Sequence, residues 1–388
     1  MATELRAFGA PRAQAVNVST LSAIAPAAGM EARERAHFFP LPAPTGASPF
    51  RLDLAAVLGE QAIEQIRTRG QLVFHMAGDT GGIRDATPQT IVAKKLEADL
   101  SKTSSANAVP SFLYHLGDVV YFNGESREYY GQFYEPYEHY TAPIFAIPGN
   151  HDGFATGGET SLEAFVRNFC SPEPVITGDA HDMVRTAMTQ PNVFWTLRAP
   201  FATIIGLYSN VNEGGTIRQD QEDWFVEELA AAPTDAAVLV TIHHPVYSVS
   251  STHAGSERLY GLLDRAMNRA GRIPDLVACG HVHNYQRFTK VINKRKVPFL
   301  VAGAGGYHNL HRVPQLNGES VVTPMFIPDA GVTLERYLDD RHGFLRLTVS
   351  GRHLRGAYYS VPRPHESWSA PARLFDQFTL DLTTHQFV

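Results

Sequence analysis

The sequence contains few cysteines, no long apolar run and no cluster of basic residues, and each shortage excludes a class of protein. Its 388 residues include two cysteines, Cys170 and Cys279, which are too few for a disulfide framework. Cys279 falls within an apolar run and is predicted to be a small core residue. No apolar stretch has the length needed to cross a bilayer, so no contact with a membrane is expected.

The charge balance argues against a nucleic-acid-binding protein. Lysine plus arginine total 33 and aspartate plus glutamate total 39, which gives a net charge of -6 at pH 7. A protein that binds a phosphate backbone needs a basic face instead. The densest basic stretch, residues 290–296, is predicted to be the solvent-facing turn of a hairpin. We therefore expect no nucleic-acid partner, and nothing in the sequence indicates a protein partner.

The N-terminal region differs from the rest of the chain. Residues 1–50 show no clear periodicity and end in a stiff, proline-rich connector at residues 40–44. Arg6, Arg12 and Asn17 interrupt the Ala-rich start, and no apolar core precedes a cleavage site, so a signal peptide is not expected. These features predict an irregular arm over residues 1–50 and favour a cytoplasmic protein.

Residues 51–388 are predicted to form a single α/β domain. Short apolar strands alternate with amphipathic helices, and a run of strands dominates the second half. Hydrophobic residues make up 44% of the chain and charged residues 19%, as in an ordinary globular protein. Residues 153–191 are rich in Gly, Thr, Pro and acids, and we expect a surface excursion that overhangs the functional site.

Five predicted strands end in short loops that carry Asp, Asn or His. Their polar residues are, in chain order, Asp79, Asp118 with Tyr121, Asn150 with His151, His243, and His281 with His283. Because the carboxyl ends of strands in an open α/β sheet form one crevice, we expect these side chains to converge. A single such loop is usually an ordinary turn, but five in one chain are hard to explain that way. Imidazole and carboxylate bind zinc, iron and manganese, so the set predicts a metal centre.

The order of these loops resembles the calcineurin-like metallophosphoesterases. The chain has GD at 78–79, GDxxY at 117–121, GNHD at 149–152, VxxH at 240–243 and GHxH at 280–283. Within that superfamily the pattern is similar to the purple acid phosphatase branch, over about residues 71–310. The resemblance implies a layered sandwich in which two mixed β-sheets are flanked by helices. The N-terminal arm is too short and irregular for the extra β-sandwich of the larger plant-type members.

By resemblance, two metal ions share these ligands. The implied ligands are Asp79, Tyr121 and His283 for one ion, Asn150, His243 and His281 for the other, and Asp118 for both. Most of the superfamily has Asp-x-His in its first loop, but Gly81 stands in place of that histidine here. The Tyr121 phenolate fills the vacancy and, as a hard anion, implies iron(III) in the first site. The His and Asn ligands suit a divalent ion such as iron, zinc or manganese.

The resemblance implies a hydrolase with a binuclear metal site. A hydroxide held by two ions about 3.5–4 Å apart attacks phosphorus in line, so no protein nucleophile is required. The leading hypothesis is hydrolysis of a small phosphomonoester. The same site acting on phosphodiesters, such as cyclic nucleotides or lipid headgroups, is the first alternative. A metal-free scaffold that binds a partner is the second.

Three histidines outside the ligand set are candidates for contacting the substrate. His151 resembles the family's outer-shell histidine, which touches the phosphate or the leaving group. His253 follows His243 by ten residues, where plant-type purple acid phosphatases have a substrate-contacting histidine. We predict that His151 or His253 protonates the leaving oxygen, although His253 also fits an exposed loop histidine. His308 is predicted to line the pocket rim, and Gly153 stands where mammalian-type members have a second acid histidine.

Overall fold

The structure, a computed structural model, describes five segments of the chain. They are residues 38–101, 109–154, 158–211, 213–316 and 318–388. Most of the predicted arm, residues 1–37, lies outside these segments. The rest of that arm packs on the domain, since Phe38 is fully buried against the Phe154 ring. The Trp224 indole also donates a hydrogen bond to the Pro49 carbonyl oxygen at 2.7 Å.

The described residues contain sixteen strands. In chain order they are β1 (Arg51–Asp53), β2 (Gln71–Ala77), β3 (Leu113–His115), β4 (Ile144–Ala146), β5 (Trp195–Ala199), β6 (Ala202–Leu207), β7 (Ala237–Ile242), β8 (Leu276–Cys279), β9 (Tyr285–Ile292), β10 (Arg295–Ala302), β11 (Met325–Ile327), β12 (Val332–Leu338), β13 (Gly343–Ser350), β14 (His353–Ser360), β15 (Arg373–Asp381) and β16 (Gln386–Phe387). One sheet has the order β1-β5-β6-β7-β8-β10-β9-β12-β11, and the other has the order β16-β15-β14-β13-β2-β3-β4. Both sheets are mixed, because β6-β7-β8-β10 and β2-β3-β4 run parallel while the remaining neighbours include antiparallel pairs.

Helices lie at the edges and outer faces of the sheets. They are α1 (Leu54–Leu58), α2 (Glu60–Arg69), α3 (Thr87–Leu100), α4 (Asn150–Gly153), α5 (Glu163–Phe169), α6 (Gln219–Ala231) and α7 (Glu257–Ala270). Single 3₁₀ turns occur at Ser126–Glu128 and Gly178–Ala180, and Tyr130–Tyr134 has π-helical hydrogen bonding. None of the helices in the described segments combines the length and apolar character needed to cross a bilayer. The cytoplasmic location stays a prediction.

The pattern of apolar residues along each strand explains the layers. In β7, Ala237 and Leu239 lie in the core between the two sheets, whereas Val238 and Val240 lie in the core that includes α6 and α7. Successive side chains of a strand point to opposite faces, so a strand covered on both sides reads as a continuous apolar run. The prediction of an α/β sandwich with two mixed sheets flanked by helices is confirmed.

The segment predicted as a surface excursion contributes to the core. Phe165 and Phe169 of α5 are fully buried and stack on each other, and Phe169 also contacts Phe133. Tyr134 donates a hydrogen bond to the Asn168 side-chain oxygen at 2.6 Å. These contacts fix the segment on the body of the domain beside β4.

Two smaller features agree with the sequence. Cys170 and Cys279 are free and buried, and Cys279 ends strand β8 as a core residue. Strands β9 and β10 form the predicted hairpin, in which Asn293 and Lys294 have φ values of 49° and 67°. A two-residue hairpin turn needs positive φ values at both residues if its twist is to match that of the two strands it joins.

A largely buried ion pair, in which the Arg346 side chain is 13% exposed, joins α3 to the sheet beneath it. The Arg346 guanidinium donates to the Asp99 carboxylate at 3.0 Å, and His75 Nε2 lies 3.0 Å from the same oxygen. Asp99 is 5% exposed and His75 is fully buried. Removing one partner of a buried ion pair leaves an uncompensated charge.

We expect Asp99→Ala to lower the free energy of unfolding by about 3–5 kcal/mol, because Arg346 and His75 would lose this carboxylate in a buried place. Urea unfolding followed by circular dichroism measures the change. The control is Glu64→Ala, which removes one partner of an exposed pair with Arg67 at 3.8 Å. That exposed pair should contribute less than about 1 kcal/mol. Equal effects of the two variants would contradict the prediction.

Candidate metal centre

The predicted ligand loops converge at the carboxyl ends of strands from both sheets. Asp79, Asp118 and Asn150 follow the parallel strands β2, β3 and β4, and His243 and His281 follow β7 and β8 of the other sheet. Hydrogen bonds hold the two sets together. The His281 backbone amide, for example, donates to both Asp79 carboxylate oxygens at 3.0 and 2.8 Å.

The glycines of the motifs allow the loops to approach each other. A Cβ atom on Gly149 would lie 2.1 Å from Asp118 Oδ1, and one on Gly280 would lie 2.6 Å from Asp79 Oδ2. Asp79 and Asp118 themselves have φ values of 58° and 54°, in the left-handed region that few residues other than glycine adopt. Such strained positions persist only where the surroundings hold them, and they are concentrated at functional sites.

Tyr121, Asp79 and His283 form the first group of donor atoms. The Tyr121 phenol oxygen lies 3.4 Å from Asp79 Oδ1 and 3.2 Å from His283 Nε2. His283 Nε2 lies 3.5 Å from the same Asp79 oxygen. The other ring nitrogen of His283, Nδ1, donates to the Asn309 carbonyl oxygen at 2.8 Å. Since a carbonyl oxygen only accepts, Nδ1 carries a hydrogen, and Nε2 is the ring nitrogen that faces Asp79 and Tyr121.

Asp118, Asn150, His243 and His281 form the second group. His243 Nε2 lies 3.2 Å from Asp118 Oδ2 and 3.1 Å from Asn150 Oδ1. His281 Nδ1 lies 3.0 Å from the same Asn150 oxygen. His243 Nδ1 donates to the Leu116 carbonyl oxygen at 2.8 Å, so Nε2 is the ring nitrogen that faces the Asp118 and Asn150 oxygens.

Both groups therefore bring oxygen and nitrogen donor atoms of several side chains within about hydrogen-bond distance of one another, an arrangement that a cation would stabilise. Burial by itself would lower the pKa of His243, but the adjacent Asp118 carboxylate raises it to about 9. Positive charge is thus favoured between these atoms. Burial, with the Asp118 and Asp79 carboxylates, raises the pKa of Tyr121 well above its ordinary value. The phenol would ionise here only beside a cation, so the residues present fit metal ions in both groups.

Asp118 is placed to serve both groups. It is 1% exposed, faces His243 with Oδ2, and lies close enough to Tyr121 to raise the pKa of that phenol. Its Oδ1 accepts a hydrogen bond from the His151 backbone amide at 2.9 Å. This position matches the bridging ligand that the sequence predicts, although the bridge itself stays a prediction.

Asp152 orders the loops without facing the donor groups. Its carboxylate accepts hydrogen bonds from the backbone amides of Gly149 at 2.8 Å, Val119 at 3.0 Å and Val120 at 3.1 Å. It therefore ties the loop after β4 to the loop after β3. The sequence showed Asp152 only as the last residue of the GNHD motif, and its positioning role emerges from the structure.

The donor groups lie at the bottom of an open cavity of about 580 Å³. It is lined by Asp118, Tyr121, Asn150, His151, Glu213, Thr252, His253, His281, His283, Tyr307, Asn309 and His311. None of the described residues of segment 153–191 lines it, so the expectation that this segment overhangs the site has no support in the structure.

Two of the three predicted substrate-contacting histidines line this cavity. His151 Nδ1 donates to the Phe122 carbonyl oxygen at 2.7 Å, which leaves Nε2 as its free ring atom. The His253 ring lies 4.5 Å from the His281 ring. His308 lines a neighbouring pocket with His342 instead, so its prediction as a rim residue finds no support in its position. The roles of all three stay predictions.

Sequence reasoning missed five residues of the cavity wall, and three of them, Tyr307, His311 and Glu213, contact predicted site residues through their side chains. Tyr307 stacks on Tyr121 at 4.1 Å between ring centroids. His311 stacks on His283 at 4.1 Å, and its Nδ1 accepts a hydrogen bond from the His283 backbone amide. Burial first, and then the neighbouring His283 and His253 imidazoles, lower the pKa of His311 to about 2, so it stays neutral. The third, Glu213, contacts two histidines and carries no motif that would have marked it.

The chain is similar to two curated phosphoesterases over part of its length. Purple acid phosphatase 21 of Arabidopsis thaliana is 23% identical over 243 residues, which cover 60% of this chain and 48% of that protein. A probable glycerophosphodiester phosphodiesterase, GpdQ, of Arcobacter nitrofigilis is 27% identical over 176 residues, covering 43% and 56%. The chain spans about half the length of these curated relatives.

Solved structures share the fold. A purple acid phosphatase from yellow lupin (Lupinus luteus) seeds superposes with a TM-score of 0.55 at 17% identity, covering 80% of this chain and 54% of that one. GAP50, described as the anchor in the inner membrane complex of Plasmodium, gives 0.53 at 15% identity, covering 79% and 90%. The calcineurin-like phosphoesterase family model matches residues 73–285, which include every ligand loop described above. Because that match covers more than half of the chain, the protein belongs to the calcineurin-like phosphoesterase family, and it resembles the purple acid phosphatase branch.

Proposed function

We propose that the protein is a binuclear metal-dependent phosphatase that hydrolyses small phosphomonoesters. The observation that carries the proposal is the pair of donor groups whose oxygen and nitrogen atoms converge on either side of Asp118. Two cations bound there would neutralise the phosphate charge and lower the pKa of a water molecule. Family membership supports the reaction class, and the open cavity of about 580 Å³ supports a small substrate.

We further propose iron(III) in the first group and a divalent ion, either iron, zinc or manganese, in the second. The phenol oxygen of Tyr121 supports the first assignment, because it lies within 3.4 Å of Asp79 and 3.2 Å of His283. A phenolate is a hard anionic ligand and suits a trivalent ion. The imidazoles of His243 and His281 with the amide oxygen of Asn150 suit a softer, divalent ion.

The protein's own groups would orient the substrate and supply a proton. His151 and His253 both line the cavity and sit on different sides of the donor groups, beside Tyr121 and His281 respectively. A histidine that donates through one nitrogen to a fixed acceptor keeps the other nitrogen in a defined orientation. His151 meets this condition through Phe122, and His253 meets it through Glu213.

The similarity to a protein named as a glycerophosphodiester phosphodiesterase makes diester hydrolysis the second candidate. The two activities separate in one assay, with p-nitrophenyl phosphate and bis-p-nitrophenyl phosphate as substrates. We expect the purified protein to contain two metal ions per chain, to cleave the monoester faster, and to lose activity on prolonged chelation. A protein that is free of metal and inactive on both esters would support a binding scaffold and overturn the proposal.

His253→Ala tests the role of His253 as the acid for the leaving group. General acid help is worth about 10²–10⁴-fold, and it matters most for a basic leaving group. We therefore expect a loss in that range for an alkyl phosphate and a much smaller loss for p-nitrophenyl phosphate, whose phenolate leaves unaided. Steady-state kinetics on both substrates measure the difference.

The control for this prediction is His139→Ala, which removes a histidine whose side chain is 75% exposed and outside the cavity lining. It should leave both rates unchanged. Equal losses on the two substrates in His253→Ala would mean that His253 only binds phosphate. No loss on either would assign the acid role to His151.

A further inference from the structure

Glu213 lies between two histidines of the cavity, one on each of its carboxylate oxygens. Oε2 is 3.1 Å from His281 Nε2, and Oε1 is 2.5 Å from His253 Nδ1. A carboxylate only accepts hydrogen bonds, so the ring nitrogens that face Glu213 both carry hydrogens. One acidic side chain therefore sets the hydrogen position on two imidazoles at once.

For His281, the consequence is a lone pair on the metal-facing nitrogen. With the hydrogen on Nε2, Nδ1 is unprotonated and lies 3.0 Å from the Asn150 side-chain oxygen, within the second donor group. A carboxylate that accepts from the far nitrogen of a metal-ligating histidine fixes the ring orientation and increases the basicity of the ligand. Glu213 stands in this relation to His281.

For His253, the consequence is a fixed ring with one free nitrogen. Its Nδ1 donates to Glu213, so Nε2 is the atom left for a substrate in the cavity that His253 lines. The backbone is held as well, because the Ser248 hydroxyl donates to the His253 carbonyl oxygen at 3.1 Å. The His253 side chain is 26% exposed and its ring lies beside the His281 and His311 rings, so the carboxylate chiefly decides which ring nitrogen carries the hydrogen.

The described residues on either side of Glu213 are held against the domain. The Asn210 backbone amide donates to the Thr216 carbonyl oxygen at 3.1 Å, which ties the two ends of the loop together. Gly214 and Gly215 have φ values of 73° and 66°, and a Cβ atom on Gly215 would lie 3.0 Å from the Cβ of His244. The close packing of Gly215 beside the ligand loop of β7 holds Glu213 at the cavity although its side chain is 47% exposed.

We propose that Glu213 is a positioning residue that fixes the tautomers of His281 and His253. It thereby couples the second metal position to the group that contacts the leaving oxygen. The inference rests on the proposed function and adds a residue to it. Its two contacts lie 68 and 40 residues away along the chain, so they depend on the folded arrangement of loops.

Glu213→Gln separates this role from a simple effect of shape. Glutamine has nearly the same size, but it has one accepting oxygen and one donating amide, so it can satisfy only one of the two imidazole hydrogens. Purified full-length protein is equilibrated with buffered free zinc(II), and bound zinc is measured by elemental analysis. Loss of such an outer carboxylate typically costs about 10–100-fold, so half-saturation of one ion should need that much more zinc.

The matched control is Asp220→Asn. Asp220 lies seven residues after Glu213 and forms an exposed ion pair with Arg218, which the substitution removes. Its zinc binding should equal that of the wild type. Unchanged zinc binding in Glu213→Gln would overturn the proposal. A second result would also overturn it: three zinc ions in the wild type and two in the variant. Glu213 would then be a zinc ligand itself, since its carboxylate and the ring nitrogens of His253 and His281 lie within 4.8 Å of one another.

A double-mutant cycle tests the second contact. At saturating zinc, Glu213→Gln should slow an alkyl phosphate more than p-nitrophenyl phosphate, and it should add little to the loss in His253→Ala, since the two residues act as a unit. Independent, additive losses would overturn the link to His253. If the wild type binds zinc but cleaves neither ester, the proposed function fails, while the zinc comparison still decides the role of Glu213.

Discussion

Asp118→Asn is expected to weaken the binding of both metal ions and to remove most of the phosphatase activity. Asp118 is 1% exposed and lies beside both donor groups, so its charge cannot be replaced by solvent. Removing one partner of a buried charge pair costs about 3–5 kcal/mol, which corresponds to roughly a hundredfold to a few thousandfold in affinity.

Metal content and activity are measured on the same preparation of the variant. We expect the content of both metal ions to fall together, because the two sites share this ligand and act as one unit. Asp235→Asn, in an exposed turn before β7, is the control and should retain both ions. Loss of only one ion from Asp118→Asn would show that this carboxylate is a terminal ligand and that the assignment of ligands to two ions is wrong.

Tyr121→Phe is expected to abolish the visible colour of the protein. A phenolate bound to iron(III) absorbs visible light by charge transfer, and the substitution removes only the phenol oxygen. The ring would keep its place, since it stacks on Tyr307 at 4.1 Å and lies 4.4 Å from the His151 ring. The absorption spectrum of concentrated protein, with iron measured on the same sample, tests the prediction.

Tyr307→Phe is the matched control for the colour. Tyr307 is the other tyrosine of the cavity lining, and it lies beside Tyr121 and His283. Its variant should keep the band if Tyr121 is the ligand. A colourless, fully active wild-type enzyme that contains only zinc or manganese would contradict the iron assignment but leave the binuclear proposal standing.

The sequence by itself determined the sandwich and the loops that carry the predicted ligands. Each of those loops is a local feature, in which an apolar strand stops at a short polar segment such as Gly117-Asp118. Since parallel strands bring their carboxyl ends to one edge, the convergence of such loops follows from their local pattern. The structure confirms this for Asp118 and Asn150, which follow neighbouring parallel strands of one sheet. Their contact with His243, which follows β7 of the other sheet, depends instead on how the two sheets pack.

Only the tertiary structure decided which atoms those residues present and what surrounds them. The hydrogen on His243 is set by the carbonyl oxygen of Leu116, 127 residues away, and the orientation of His253 is set by Glu213. Likewise β2 pairs with β13, although more than 200 residues separate them. Contacts between loops and strands so far apart leave no periodicity or spacing in the sequence, because they depend on the path of the folded chain. The folded path of the chain also explains His308: its sequence neighbours Tyr307 and Asn309 line the cavity, but His308 itself lines a different pocket.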